Sequence, residues 1–335
     1  MKIRKSELSD IPVIMSVLEE AREVMRENGN MNQWINGYPQ ESVIRDDIAR
    51  GHSFVMEEDD VIKGTFAYII GKDPTYAVIE DGRWVDDESL YGTVHRIGGA
   101  RGSHGIAHAC IEWCLSRCPN LRIDTHSDNG IMRHILQREG FGYCGIIHVA
   151  DGSPRMAYQR QDIRPAVADD APFIARNVFR ALLIDNPSDT QMEVLKSICR
   201  REDTLYSWRN TMIAMRGGRC AGILVSYDGA RYRSMRDITF PIFLGDEDFS
   251  GMDDECRAGE MYCDSLAVEP EFQHNGIGRS MLEDFLRRSA ASGLTATIAV
   301  EPGNSKARSL YESLGFSYDG EVFLFGHNYL RMVVK

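Results

Sequence analysis

Apolar positions recur at helical spacing in two copies of the same local setting. After Ile3-Arg4 and Asp10-Ile11-Pro12, residues Ile14, Val17 and Leu18 fall on one helical face. After Ile163-Arg164 and Asp169-Asp170-Ala171-Pro172, at an offset of 160 positions, Ile174, Val178 and Phe179 do the same. Each copy predicts a short strand entering a helix, with an Asp or Ser that can cap free amides and a proline that the first turn tolerates. Deeper in each half the match sharpens. Counted from Gly105, Cys110, Ile111, Cys114 and Leu115 form an apolar stripe; counted from Gly276, Met281, Leu282, Phe285 and Leu286 fall at the same offsets. Strand-like runs precede these helices at 90–97 and 261–268. Others follow at 122–125 and 297–300, each ending four positions before an asparagine, Asn129 or Asn304, with Gly140-Phe141 or Gly315-Phe316 beyond. The order strand, glycine loop, helix, strand, helix therefore occurs twice. It predicts an α/β layered architecture in each half. The seam falls near 159–162, giving domains 1–160 and 161–335 with no low-complexity linker, so the halves are expected to pack together.

Length and composition narrow the function. A chain of 335 residues suits two domains, and 43% hydrophobic with 26% charged residues suits ordinary packed cores. Lys and Arg total 38 against 50 Asp and Glu, a formal charge of −12. Such a surface repels phosphate backbones and anionic lipid, so neither nucleic acid nor membrane is an expected partner. No apolar run approaches the roughly 18–20 residues of a spanning helix, and residues 1–7 are charged rather than signal-like, which predicts a cytoplasmic chain. Eight dispersed cysteines read as reduced thiols. His104 and His108 with Cys110, Cys114 and Cys118 make a metal site conceivable, but the cysteines share a packing stripe and no metal is expected.

The loop Val268-Glu269-Pro270-Glu271-Phe272-Gln273-His274-Asn275-Gly276-Ile277-Gly278-Arg279 joins a strand to a helix. Unpaired amides at a helix start, the helix dipole and the missing Cβ of glycine together make an anion site, and a pyrophosphate is the expected ligand. The loop lacks the third glycine of dinucleotide-binding folds and the Gly-Lys-Ser/Thr end of a Walker loop. By spacing alone a tight turn is an equal reading.

From Leu266 through Phe316 the chain resembles motifs A and B of the GNAT N-acetyltransferase superfamily. Gln273-His274-Asn275-Gly276-Ile277-Gly278 is similar to that family's Gln/Arg-x-x-Gly-x-Gly/Ala loop, followed here by Arg279. Leu266, Ala267 and Val268 match its splayed strand, and Asn304, Ala307, Leu310, Tyr311 and Gly315-Phe316 match the segment beyond. The resemblance implies acetyl-CoA as co-substrate, with the loop amides on its pyrophosphate, Leu266 to Val268 beside the pantetheine arm, and Asn304 in contact with the coenzyme. It further implies the Val268 amide as oxyanion donor and Tyr311 as the acid that protonates the departing thiolate. The implied reaction is direct attack of a primary amine, on a small molecule or peptide, upon the thioester. Polyamine, antibiotic, amino acid and peptide N-terminus stay open as acceptors. For the base, Asp264 and Glu260 share a face of the strand if alternation holds. Both also suit a structural role or binding of the acceptor ammonium. A non-catalytic acyl-CoA-binding sensor or assembly module is the alternative; Tyr311 and the carboxylates argue against it, since binding alone needs neither.

The first half is similar to the same family but departs from it. Its loop, 98–107, is about two residues shorter, Gly102 takes the place of Gln273 with Arg101 as a possible substitute, and Leu136 stands where Tyr311 does. These departures predict weaker coenzyme binding. His95 aligns with Asp264 and could act as a base, or serve as hydrogen-bonded structure. The acidic residues Asp246, Glu247, Asp248, Asp253, Asp254 and Glu255 read by default as a solvated loop, with steering of a cationic acceptor as the other reading. Trp34, Tyr38, Trp208 and Arg209 fall where the family builds acceptor walls.

Overall fold

Two sheets with one strand order divide the chain. The computed structural model describes residues 1–245 and 251–334. It separates into Met1–Asp162 (unit 1) and Ile163–Lys335 (unit 2).

Unit 1 runs β1 (Lys2–Lys5), α1 (Ile11–Glu27), α2 (Glu41–Ala49), β2 (Ser53–Glu58), β3 (Val61–Ile70), β4 (Gly92–Gly99), α3 (Ile106–Leu115), β5 (Asn120–Thr125), α4 (Gly130–Arg138), β6 (Gly142–His148) and β7 (Pro154–Gln161). Its sheet order is β1-β2-β3-β4-β5-β7-β6, antiparallel except for β4 with β5. Unit 2 runs β8 (Ile163–Pro165), α5 (Ala171–Ala181), α6 (Asp189–Arg200), β9 (Thr211–Arg216), β10 (Arg219–Asp228), α7 (Tyr232–Leu244), β11 (Glu260–Val268), α8 (Ile277–Ala291), β12 (Thr295–Val300), α9 (Ser305–Ser313), β13 (Ser317–Leu324) and β14 (His327–Val333). Its order, β8-β9-β10-β11-β12-β14-β13, is the same, with β11 and β12 the parallel pair. Both are mixed sheets flanked by helices.

The apolar stripes do the packing expected of them. Cys110, Ile111, Cys114 and Leu115 of α3 lie in one core with Tyr68, Leu121 and Leu136. Met281, Leu282 and Phe285 of α8 lie in another with Leu224, Ile298 and Tyr311. Burying a side chain of that size contributes about 1.5–3 kcal/mol. All eight cysteines are free thiols. No helix among the described residues is long and apolar enough to cross a membrane.

One local expectation fails in both units. The aspartate at the first helix does not cap it. Asp10 accepts the Glu7 amide at 2.8 Å and two bonds from Arg4 at 2.7 and 3.1 Å. Asp170 likewise accepts the Val167 amide at 2.8 Å and Arg164 at 2.7 and 2.9 Å. A strand arginine offering a two-pronged, charge-assisted contact outcompetes the helix amides.

Both units insert chain between the third and fourth strands, 71–91 in unit 1 and 229–259 in unit 2. The first insert is fastened by Arg122, whose buried guanidinium lies 4.0 Å from the Trp84 ring and 3.8 Å from that of Tyr91, and donates to the Asp86 carbonyl at 2.8 Å.

Candidate active site

Strand β11 pairs with β10 from Met261 to Val268, with a register shift that passes over Asp264 and breaks the alternation expected to put it on one face with Glu260, but with β12 only over Glu260–Cys263; beyond Cys263 the parallel partners part. The Glu269 amide donates to the Ala221 carbonyl at 2.8 Å. Antiparallel alternation then turns the amides of Leu266 and Val268 away from β10, into the gap. The core takes Ala267 on one side of the sheet, while Leu266 and Val268 are partly exposed.

Helix α8 starts over that gap. Gly276 holds a left-handed φ of 74°, which a side chain would strain by about 1–2 kcal/mol. Gly278 has no such need: a Cβ there would come no nearer than 4.0 Å to Leu266 and Val268. The fold has room for a side chain at 278, and its absence leaves the first-turn amides open to an approaching group. The first intrahelical bond comes from Ser280 to the Gly276 carbonyl at 3.0 Å, so the amides of Ile277, Gly278 and Arg279 precede the ladder. Ile277 is itself buried, and only its main chain can serve a ligand.

The polar side chains of the loop bind its own backbone. Gln273 donates to the Val268 carbonyl at 3.1 Å, and Asn275 to the carbonyls of Phe272 and Gln273 at 3.3 and 3.1 Å. His274 takes a left-handed φ of 63°. Arg279 donates to Ser313 Oγ at 2.6 Å, tying α8 to α9. Asn304 and Ala307 meet each other: the Asn304 side chain caps α9 by accepting the Ala307 amide at 3.1 Å. Asn129 caps α4 through Met132 in the same way, at 3.0 Å.

Tyr311 is buried on α9 against Phe316, ring centroids 5.9 Å apart. Burial, with the neighbouring Cys263 thiol, pushes its hydroxyl well above the usual tyrosine range, so it stays protonated at neutral pH. Cys263 is the last β11 residue paired with β12, which places Tyr311 at the apex of the fork; its hydroxyl makes no hydrogen bond among the described residues.

Asp264 is the first residue beyond the apex and accepts from Tyr227 at 2.6 Å and from Ser265 at 2.7 Å. Glu260 lies four positions back, roughly 13 Å along the strand. It is held by Arg331 at 2.6 Å and by the Arg257 amide at 3.0 Å. The structure thus separates the two carboxylates along the strand, and it pairs Glu260 with Arg331. Glu255, read from the sequence as part of a solvated acidic loop, instead turns inward and is 7% exposed, with Tyr232 donating to it at 3.3 Å. Burial and the charge of Asp264 raise its carboxyl to about 8. Asp264 is also raised by burial, against the hydrogen bonds from Tyr227 and Ser265. Of its acidic neighbours, Asp254 pairs with Arg236 at 3.0 Å and Asp253 accepts the Phe323 amide at 2.8 Å; Asp246, Glu247 and Asp248 lie outside the described residues.

Unit 1 repeats the fork. Pairing of β4 with β5 ends at Val94 and Ile123, so His95 occupies the place of Asp264. Gly105, φ 72°, opens α3 as Gly276 opens α8. The connection is two residues shorter, and Arg101 does not replace Gln273: its guanidinium is taken by Glu27 at 2.9 Å and Glu23 at 3.3 Å of α1, and its amide donates to Glu20 at 2.6 Å. Leu136 is fully buried in the place of Tyr311. A cavity of about 940 Å³ runs from the 99–108 loop to His95 and includes Trp34 and Tyr38. Unit 2 has a cavity of about 600 Å³ lined by Arg233, Asp254, Arg257, Glu321 and Arg331, and by none of the coenzyme candidates. Trp208 and Arg209 line neither; Arg209 stacks on Trp208 at 4.6 Å and pairs with Glu202 at 2.9 Å. His108, Glu112 and Glu139 cluster at the surface, but Arg160 and Arg138 already pair with the two carboxylates.

The family model described as "Acetyltransferase (GNAT) family" matches residues 183–316, which include β11, α8, β12 and α9. A solved acetyltransferase of the GNAT family from Streptococcus agalactiae 2603 is 35% identical, covering 48% of this chain and 94% of its own, with a TM-score of 0.45. The chain belongs to the GNAT acetyltransferase family. Within that family it is 41% identical over 54 residues to the [ribosomal protein bS18]-alanine N-acetyltransferase of Salmonella typhimurium, and 39% to the Escherichia coli K12 protein of that name. These matches take in 16% of this chain and 36% of each relative, so the chain spans about a third of the length of the curated GNAT relatives it matches.

Proposed function

We propose that unit 2 is an acetyl-CoA-dependent N-acetyltransferase site acting on the primary amine of a small molecule or peptide. The amides opening α8 hold the coenzyme diphosphate, and the Val268 amide, turned into the gap, receives the oxygen that becomes an oxyanion. Asp264, raised by burial and backed by Glu255, takes the amine proton; Tyr311 returns one to the sulfur as the C–S bond breaks. The observation that carries this reading is the fork itself, with Tyr311 at its apex and the first turn of α8 over its free strand. The alanine specificity in the names of two relatives supports a peptide N-terminus as acceptor.

Thiol release from acetyl-CoA, measured over small amines and alanine-initiated peptides, tests the reading. Tyr311→Phe is expected to lower turnover of at least one acceptor by about 10²–10⁴-fold. A loss under tenfold for every acceptor removes Tyr311 from the acid role. Coenzyme binding without thiol release from any acceptor favours a sensor.

A further inference from the structure

The cavity of unit 1 ends on an imidazole whose surroundings specify its tautomer. His95 Nε2 lies 2.9 Å from Asp73 Oδ2. An ionised carboxylate can only accept, so Nε2 carries the hydrogen and the lone pair of the neutral ring sits on Nδ1. That nitrogen is 4.0 Å from Asp124 Oδ1, too far for a direct bond, and Asp124 is steadied by the Tyr76 hydroxyl at 2.6 Å. Asp73 is fixed in turn: it accepts the Thr75 amide at 2.9 Å, and its own amide donates to the Tyr91 hydroxyl at 3.1 Å, on the insert that Arg122 fastens. A base, an orienting carboxylate and a second carboxylate beside the free nitrogen thus stand at the position that Asp264 holds in unit 2.

We propose that unit 1 is a second transfer site, in which His95 is the catalytic base, Asp73 its positioning residue, and the acceptor a primary amine with an apolar body. The acyl donor, acetyl-CoA, rests on the function proposed for unit 2. The charged and titratable groups around His95 are Asp73, Tyr76, Asp124, Arg155, 4.0 Å from Asp124, and Arg96, the next residue on β4. Arg96 is spent on Asp47, at 2.8 and 3.0 Å, and on Tyr38, which leaves carboxylates to draw a cationic head. Met25, Trp34, Ile97 and Ile131 give the same cavity apolar wall for the body. Counted from the free amine, the N–C bond to the acyl carbon forms, the C–S bond breaks, and the amine proton passes to Nδ1 and through solvent to the sulfur. His95 thereby covers the acid step that Leu136 cannot.

The test uses the full chain with hexylamine and acetyl-CoA. In a Tyr311→Phe chain, thiol release with hexylamine is expected to persist, to exceed that with glutamate, and to fall at least about 100-fold when His95→Gln is added. His95→Ala, assayed with added imidazole, is expected to recover part of the rate, which separates lost chemistry from lost fold. Asp73→Asn is expected to lower kcat with KM held and to move the acidic limb of the pH profile. Hexylamine turnover that is absent in the Tyr311→Phe chain, or unmoved by His95→Gln, overturns the inference and leaves unit 2 untouched. No thiol release by the wild-type chain with any amine overturns the function proposed for unit 2 and this inference with it.

Discussion

Glu255 and Asp264 put two carboxyls into one tyrosine-lined recess, with Tyr227 on Asp264 and Tyr232 on Glu255. Among the described residues neither has a cation at bonding distance, and burial favours the protonated form of both. The sign of the stability effect follows. Between the usual glutamate range and about pH 8, the unfolded chain ionises Glu255 while the folded chain keeps its proton, so stability present at acid pH is lost as pH rises through that window. Each unit of pH across it costs up to about 1.4 kcal/mol. Glu255→Gln keeps the volume and removes the ionisation. Urea unfolding at pH 5 and pH 8 is expected to show the variant losing less stability than wild type between the two; parallel losses would show that Glu255 ionises normally.

The fork and the helix above it are built by separate elements, and α8 offers a way to separate folding from binding. Gly278 sits in the first turn with space for a small side chain. An aspartate there suits the positive end of the helix dipole, worth about 0.3–1 kcal/mol, yet sets a negative charge where the diphosphate would rest. Gly278→Asp is therefore expected to hold or raise the melting temperature while weakening acetyl-CoA binding by more than about tenfold, or 1.4 kcal/mol. Unchanged affinity by calorimetry would show that the anion does not bind at this turn. The glycine pair, the stripes and the alternation of strands and helices were legible in the sequence because they depend on short-range spacing. Three features were not, because each depends on a partner distant in the chain. Glu260 is claimed by Arg331, 71 positions away. Arg101 is claimed by the glutamates of α1, more than 70 positions back. Glu255 is buried where it meets the Tyr232 hydroxyl, 23 positions back, and nothing in its acidic neighbourhood signals that turn inward. A buried carboxylate among tyrosines could have been suspected only from the density of Tyr227, Tyr232 and Tyr262 around it.

At the scale of the whole chain, a net charge of −12 opposes an anionic coenzyme everywhere except where main-chain amides converge. The glycine-opened starts of α3 and α8 are two such places, and they are not equal. At α8 the loop side chains turn onto their own backbone and leave the first-turn amides clear. At α3 the loop is shorter, the Arg101 amide is already bonded to Glu20, and Glu23 and Glu27 stand beside it. Three carboxylates near a diphosphate repel it, and Arg101 beside them is already paired. Calorimetric titration of the full chain with acetyl-CoA is expected to give a tight step and a second step weaker by at least about tenfold. Gly278→Asp should remove the tight step and leave the weak one, which assigns the first to unit 2. The weak step should also fall less on adding salt than a lysine- or arginine-bound phosphate would, because amide dipoles release no counterions of their own and screening relieves the glutamate repulsion. Two steps of equal affinity, or loss of both in Gly278→Asp, would show that the acidic face of α1 does not set the difference between the units.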